Sequence, residues 1–222
     1  MIGGLAVAVA VSILVGDSQG QALAPMLRAC RPGLVVDVLH GRPVAKVRAA
    51  AAAVPAATRA AASEVWIAAG GNDGAKPDHA EARRLIDLFP VGSVVWIAPP
   101  PATTIASLAT ARAVFGSSVG GVDHWQTSGK AAGREIGAGI LRHAVEGYRG
   151  ARWADPRDIV KPYPPQQDGI HLSGPTAKAV AARLCAGTAS ARGLGPWARL
   201  GIAALLAAAT VAGIYKFRTS KG

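Results

Sequence analysis

The stretch LAVAVAVSILVGDSQGQALAPMLRAC (residues 5–30) decides the fold. Its first half alternates in side-chain size. Leu5, Val7, Val9, Val11, Ile13 and Val15 share one face of an extended chain, and Ala6, Ala8, Ala10 and Ser12 share the other. Apolar residues on both faces are what a central parallel strand needs when helices cover it on both sides. The second half of the run is therefore the first core strand, ending at Gly16. The run from 5 to 15 is too short to span a bilayer as a helix. It also lacks the charged leading region and small-residue cleavage site of a signal peptide. The polar turn GDSQG follows, and then QALAPMLRAC, which reads as a helix.

Outward from that unit the alternation of strand and helix continues. LVVDVLH (34–40), EVWIAAG (64–70) and SVVWIAP (93–99) are Val- and Ile-rich runs of strand length. ARWAD (151–155) is a short fifth strand. RPVAKVRAAAAAV, DHAEARRLIDLF with Asp78 as its N-cap, TTIASLATARAVF and KAAGREIGAGILRHAV are helices between them. SGPTAKAVAARLCAG closes the domain, with Ser173 as N-cap and Pro175 in the first turn. The pattern predicts an α/β fold with a central parallel sheet sandwiched between helices.

The chain has 222 residues, half of them hydrophobic. That suffices for one domain with a real core and is too little for two catalytic domains. The formal net charge is +11, which suits contact with anionic lipid, polymer or nucleic acid. The basic residues are scattered rather than clustered, and aromatics are only 5%. Few stacking platforms remain for bases, so the composition weighs against nucleic-acid binding and for a solvated basic surface. Two cysteines, Cys30 and Cys185, make no disulfide framework; they read more readily as small core residues than as a bridge, and whether they pair is left open.

The C-terminus differs in character. Residues 188–196 form a Gly/Ser/Pro-rich linker after a domain at 1–187. Residues 197–217 form a candidate transmembrane helix, followed by a basic tail at 218–222. Residues 200–215 carry no charge, and Trp197, Arg199, Tyr215, Lys216 and Arg218 flank them as interface anchors would. Basic residues stand at both ends, so the expected single-pass membrane anchor has no assigned orientation. Gly201, Ala204, Ala208 and Gly213 offer small faces for a neighbouring helix.

In open α/β sheets, ligands collect beyond the carboxyl ends of the strands. There the sequence places GDSQG with Ser18, HGRP with Gly41 and GGND with Asn72. DGIHLSG, with Asp168 and His171, comes just before the last helix. A serine hydroxyl attacks an acyl carbon only when a base removes its proton. His171 supplies the base, and Asp168, three residues earlier, can orient the imidazole and stabilise the imidazolium. The backbone N–H groups of Ser18 and Gly41 and the side-chain amide of Asn72 are candidate donors to the oxyanion. If His171 is the base, activity rises with pH as the imidazole loses its proton.

These four blocks, in this order, resemble the SGNH hydrolases, the GDSL-type esterases and lipases. Ser18, Gly41, Asn72 and His171 match the four letters, and Asp168 matches the family's Asp-x-x-His pair. The resemblance spans roughly residues 9 to 187 and departs at Gln19, where the common form has Leu. It implies a three-layer α/β/α sandwich and ester hydrolysis through an acyl-enzyme, with no cofactor and no metal.

Other readings are weaker. GDSQG also fits the G-x-S-x-G nucleophile elbow, but that fold needs several strands before its serine. GSSVG (116–120) follows a helix-like stretch and reads as a loop. Ser18 could instead cap the next helix, and Asn72–Asp73 could cap the segment after it. His40, His79, His124 and His143 read as surface or loop residues, none at metal-ligand spacing. Arg42 and Lys46 read as a solvated face. The expected function is a membrane-tethered serine esterase acting on a carbohydrate or cell-wall O-acetyl group or a short lipid acyl ester. The competing expectation is an idle hydrolase fold serving as a membrane-anchored structural or adaptor protein. The oligomeric state is left open.

Overall fold

A computed structural model describes residues 11–100, 130–161 and 171–191. Contacts divide the chain into two units, Met1–Arg183 and Leu184–Gly222. The first holds all the strands. The described part of the second is the end of the last helix.

The first unit is built on a five-stranded, wholly parallel sheet in the order β2-β1-β3-β4-β5. The strands are β1 (Val11–Gly16), β2 (Val35–Val38), β3 (Ala62–Ala68), β4 (Val94–Ile97) and β5 (Arg152–Ala154). The helices are α1 (Ser18–Cys30), α2 (Val44–Ala53), α3 (Ala56–Ala60), α4 (His79–Ile86), α5 (Lys130–Val145), α6 (Pro156–Ile159) and α7 (Gly174–Ala191). All five expected strands form. The short helices α3 and α6 carry too little periodicity to be read in advance. The helix expected over 103–115, the GSSVG loop and the candidate membrane segment lie outside the described residues. Helix α7 runs to Ala191, into the segment expected to be a linker, because Ala and Ser there extend the helix readily.

Both faces of the sheet are buried, as the double-sided apolar pattern requires. Ile13, Val15, Val65, Ile67 and Trp96 join one cluster with Val44 and Val47 of α2, Leu85 of α4 and Leu141 of α5. Leu14 and Trp66 alternate to the opposite face and are fully buried there. Helix α1 packs against β1, β2 and β3 and turns Leu23 and Leu27 inward. The β1–α1–β2 crossover thus covers one face and α2, α4 and α5 the other, as right-handed connections demand when strand order reverses at β1. The reversal opens a crevice between the carboxyl ends of β1 and β3.

Strands β1 and β3 approach so closely at that crevice that a Cβ on Gly16 would collide with the Ala68 carbonyl. Among the described residues no helix is long and apolar enough to cross a membrane. Cys30 and Cys185 are both disulfide-bonded rather than free core thiols.

Candidate active site

Two loops build the site, one after β1 and one after β3. The first begins with Asp17, whose backbone N–H donates to Ala68 O at 2.8 Å. Asp17 is the N-cap of α1, its carboxylate accepting from Gln19 N at 2.9 Å. Ser18 is therefore not the cap. It occupies the first helical position, where N–H groups have no intrahelical acceptor, and its hydroxyl is left for another partner. That partner is His171, with Nε2 3.0 Å from Ser18 Oγ across 153 residues of chain.

The second loop is GGNDG, residues 70–74, pinned at five points. The buried indole of Trp96 donates to Ala69 O at 3.1 Å. Gly70 takes φ +112°, which an L side chain rarely adopts. Asn72 Nδ2 donates to Asp17 Oδ2 at 3.1 Å and to Arg42 O at 3.3 Å. Both oxygens of Asp73 accept from Val44 N at 3.1 Å. The carbonyl of Gly74 faces Gly137 of α5 so closely that a Cβ there would collide with it. Asp73 thus caps α2, a helix 29 residues earlier in the chain, not the segment that follows it. It replaces the cap that Pro43 cannot supply. Burial raises the pKa of Asp73, and the Val44 N–H opposes that rise.

Together these loops enclose a cavity of about 150 Å³ lined by Asp17, Ser18, His40, Gly71, Asn72, Arg134 and His171. Of the expected site residues, Ser18, Asn72 and His171 meet in it. Gly41, at φ +74° in the turn after β2, is not among its lining residues. Asp168 lies outside the described residues, as does His124. Among the described residues no three of His, Cys, Asp and Glu gather where they could hold a metal ion.

Three contributors were not expected. His40 read as a loop residue, yet its ring centroid stands 6.0 Å from that of His171. Arg134 of α5 is 4% exposed and sits over Gly71. Gln19, the departure from the usual Leu, turns its Oε1 to accept from Leu172 N at 3.2 Å and so fixes the backbone beside His171. Arg42 is not a free cation, since it pairs with Asp37. Replacing Gln19 by Leu removes the only acceptor the described residues give to Leu172 N and loosens His171 against Ser18. If His171 serves Ser18 as its base, the expected result is a fall in kcat of about tenfold at nearly unchanged KM, since orientation of the base is what is lost. Steady-state kinetics on an acetyl ester measure it, and a wild-type kcat would contradict it.

Asp17 is 1% exposed, and its pKa is pushed up to about 6. Burial is the main cause. The Gln19 N–H, Arg134 and His171 pull it down, and Asp73 pushes it up. The folded state thus holds a proton that the unfolded chain releases at lower pH. Stability that is present below the unfolded pKa is lost as pH rises through the folded value. A two-unit rise corresponds to about 3 kcal/mol. Urea unfolding of wild type and Asp17→Asn should therefore diverge by about 3 kcal/mol, wild type losing ground between pH 4 and pH 7. Parallel pH profiles would contradict the raised pKa.

No family model and no curated relative matches the sequence. Solved structures do match. The catalytic domain of peptidoglycan O-acetyltransferase A from Streptococcus pneumoniae is 14% identical, with a TM-score of 0.56 over 83% of this chain and 95% of that one. A lipase/acylhydrolase from Enterococcus faecalis is 14% identical, with a TM-score of 0.58 over 81% and 95%. An acetylxylan esterase from Geobacillus stearothermophilus, as a catalytic mutant, is 13% identical, with a TM-score of 0.51 over 78% and 91%. A GDSL-like lipase from Bacteroides thetaiotaomicron is 14% identical, with a TM-score of 0.54 over 83% and 89%, and the chain has the SGNH/GDSL-type fold.

Proposed function

We propose that the chain is a serine esterase that cleaves a short acyl ester, foremost an acetyl group on a carbohydrate or cell-wall polymer. The observation that carries this is the 3.0 Å contact between His171 Nε2 and Ser18 Oγ at the mouth of a small polar cavity. In this reading His171 takes the hydroxyl proton as Ser18 attacks the ester carbonyl. The C–O bond to the alcohol half breaks, and that oxygen leaves with the proton from His171. Water, activated by the same imidazole, then releases the acid from the acyl-enzyme. Asp168 is assigned to orient His171.

The oxyanion is assigned to the backbone N–H groups of Ser18 and Gly41 and to Asn72 Nδ2. Asn72 can serve by giving up its longer bond, to Arg42 O at 3.3 Å, while keeping Asp17 as its anchor. About 150 Å³ holds roughly five waters at ~30 Å³ each. That space suits an acetyl or other short acyl group. Residues 197–217 are assigned as a membrane anchor, which would raise the local concentration of a surface-bound substrate.

The test is a panel of p-nitrophenyl acetate, octanoate and palmitate, with O-acetylated xylan and peptidoglycan, alongside labelling by a fluorophosphonate. Turnover of acetate above the longer esters and covalent labelling at Ser18 are the expected results. A folded protein that neither turns over any ester nor labels would make it an idle scaffold.

A further inference from the structure

This inference rests on the proposed esterase site and adds a residue to it. We propose that Arg134 is a positioning residue: it holds Asp17 as a carboxylate, and through Asp17 it fixes the amide of Asn72 for the oxyanion.

Three observations converge. Arg134 is a buried cation that lines the cavity, on a helix otherwise remote in sequence from every motif of the site. Its Nη2 lies 2.8 Å, and Asp17 Oδ2 lies 3.6 Å, from the point a Cβ on Gly71 would occupy. Both groups therefore border the same bare glycine, and the Arg134 charge favours the ionised form of Asp17. Asp17 Oδ2 is also the oxygen that accepts from Asn72 Nδ2. Among the described residues, the acceptor that turns that amide from the β1 side thus belongs to the carboxylate whose ionised form Arg134 favours.

The chemistry follows from burial. A carboxyl group as enclosed as Asp17 favours its neutral form. Protonation could convert Oδ2 from an acceptor to a donor, and a donor opposite Asn72 Nδ2 would release or flip the amide. A fixed positive charge opposes that. His171, in the segment before α7, pulls in the same direction as Arg134, and Asp73, in the loop after β3, pulls against it. His40 faces the same cavity from the turn after β2. Of these groups only Arg134 keeps its charge at every working pH. A side chain on Gly71 would require the guanidinium to shift.

The test uses a readout that does not depend on catalysis. The side-chain amide of Asn72 is followed by ¹H–¹⁵N NMR as pH is varied. In wild type it should step with Asp17, and Asp17→Asn should abolish the step, which assigns it. In Arg134→Gln the midpoint should move up by about one unit or more, while Arg134→Lys should keep it near the wild-type value. In activity, Arg134→Gln should lower kcat about tenfold or more at neutral pH with little change in KM, most strongly on the acid side. In the Asp17→Asn background the same change should add nothing.

An unmoved midpoint in Arg134→Gln overturns the proposal, as does a kcat loss of equal size in both backgrounds. Should Arg134→Gln fail to fold, Asp17→Asn/Arg134→Met, which removes both charges together, is compared with Asp17→Asn alone. Equal kcat supports the proposal, and a further tenfold loss overturns it. Inactive wild type with the expected Asn72 titration would sink the esterase reading and leave this link standing. Active wild type with an unmoved midpoint would do the reverse.

Discussion

Ser18→Ala should cut turnover of an acetyl ester by about 10⁴-fold or more and leave the fold intact. The two halves of that expectation have separate causes. The hydroxyl contributes to the site through its contact with His171. Without it no acyl-enzyme can form, and the remaining donors only polarise a bound carbonyl. The helix does not need the hydroxyl, because Asp17 supplies the cap of α1. Alanine is also a good residue in the first turn of a helix. The melting temperature should therefore move by no more than a few degrees, equivalent to about 1 kcal/mol or less. His171→Ala should fall by a comparable factor, and the double variant no further, because the pair acts as one unit. Kinetics on p-nitrophenyl acetate with parallel thermal melts decide it. If Ser18→Ala retains a tenth or more of wild-type turnover, the nucleophile has been misassigned.

What the sequence discloses about this site is what is local. The strand-then-polar-turn pattern places Ser18 at the tip of β1 and Asn72 at the tip of β3, and short-range periodicity suffices for that. Convergence of Ser18 and His171 across 153 residues was legible only through the ordered blocks. Arg134 left no such trace. As one of three Lys and Arg residues in KAAGREIGAGILRHAV, it reads as solvent-facing. It turns inward because Gly137, one turn later, lets α5 settle against the Gly74 carbonyl. Gln19 looked like tolerated variation, and its partner is a backbone N–H that no side-chain pattern records. His40 follows β2 as any turn residue might, and its part in the cavity depends on where the 171 segment lies.

Glu64 shows the same limit away from the site and yields a large expected effect on stability. At the head of β3 a glutamate reads as an exposed strand end, yet it is 4% exposed. Its Oε2 accepts from Ser12 Oγ at 3.1 Å and from Arg31 Nε at 2.8 Å. Oε1 has no hydrogen-bond partner among the described residues. Arg31, the C-cap residue of α1, stands 6.0 Å from the centroid of the buried Trp66 ring. The ion pair therefore ties the end of α1 to β3 near the amino ends of the strands, opposite the candidate site. Arg31→Met strands a buried carboxylate beside an indole, and removing one partner of such a pair costs about 3–5 kcal/mol. Arg31 keeps some contact with solvent, its side chain being 17% exposed, which places the loss near ~3 kcal/mol. That corresponds to a drop of about 6–12 °C in Tm for a domain of this size. Glu64→Met alone should cost less, since it leaves a cation that can swing toward water. Glu64→Met/Arg31→Met should regain most of the loss, because two apolar side chains of similar length replace both charges at once. Urea unfolding of the three variants measures the coupling. Additive losses, with the double variant weaker than either single one, would mean that the pair is not joined as the geometry has it.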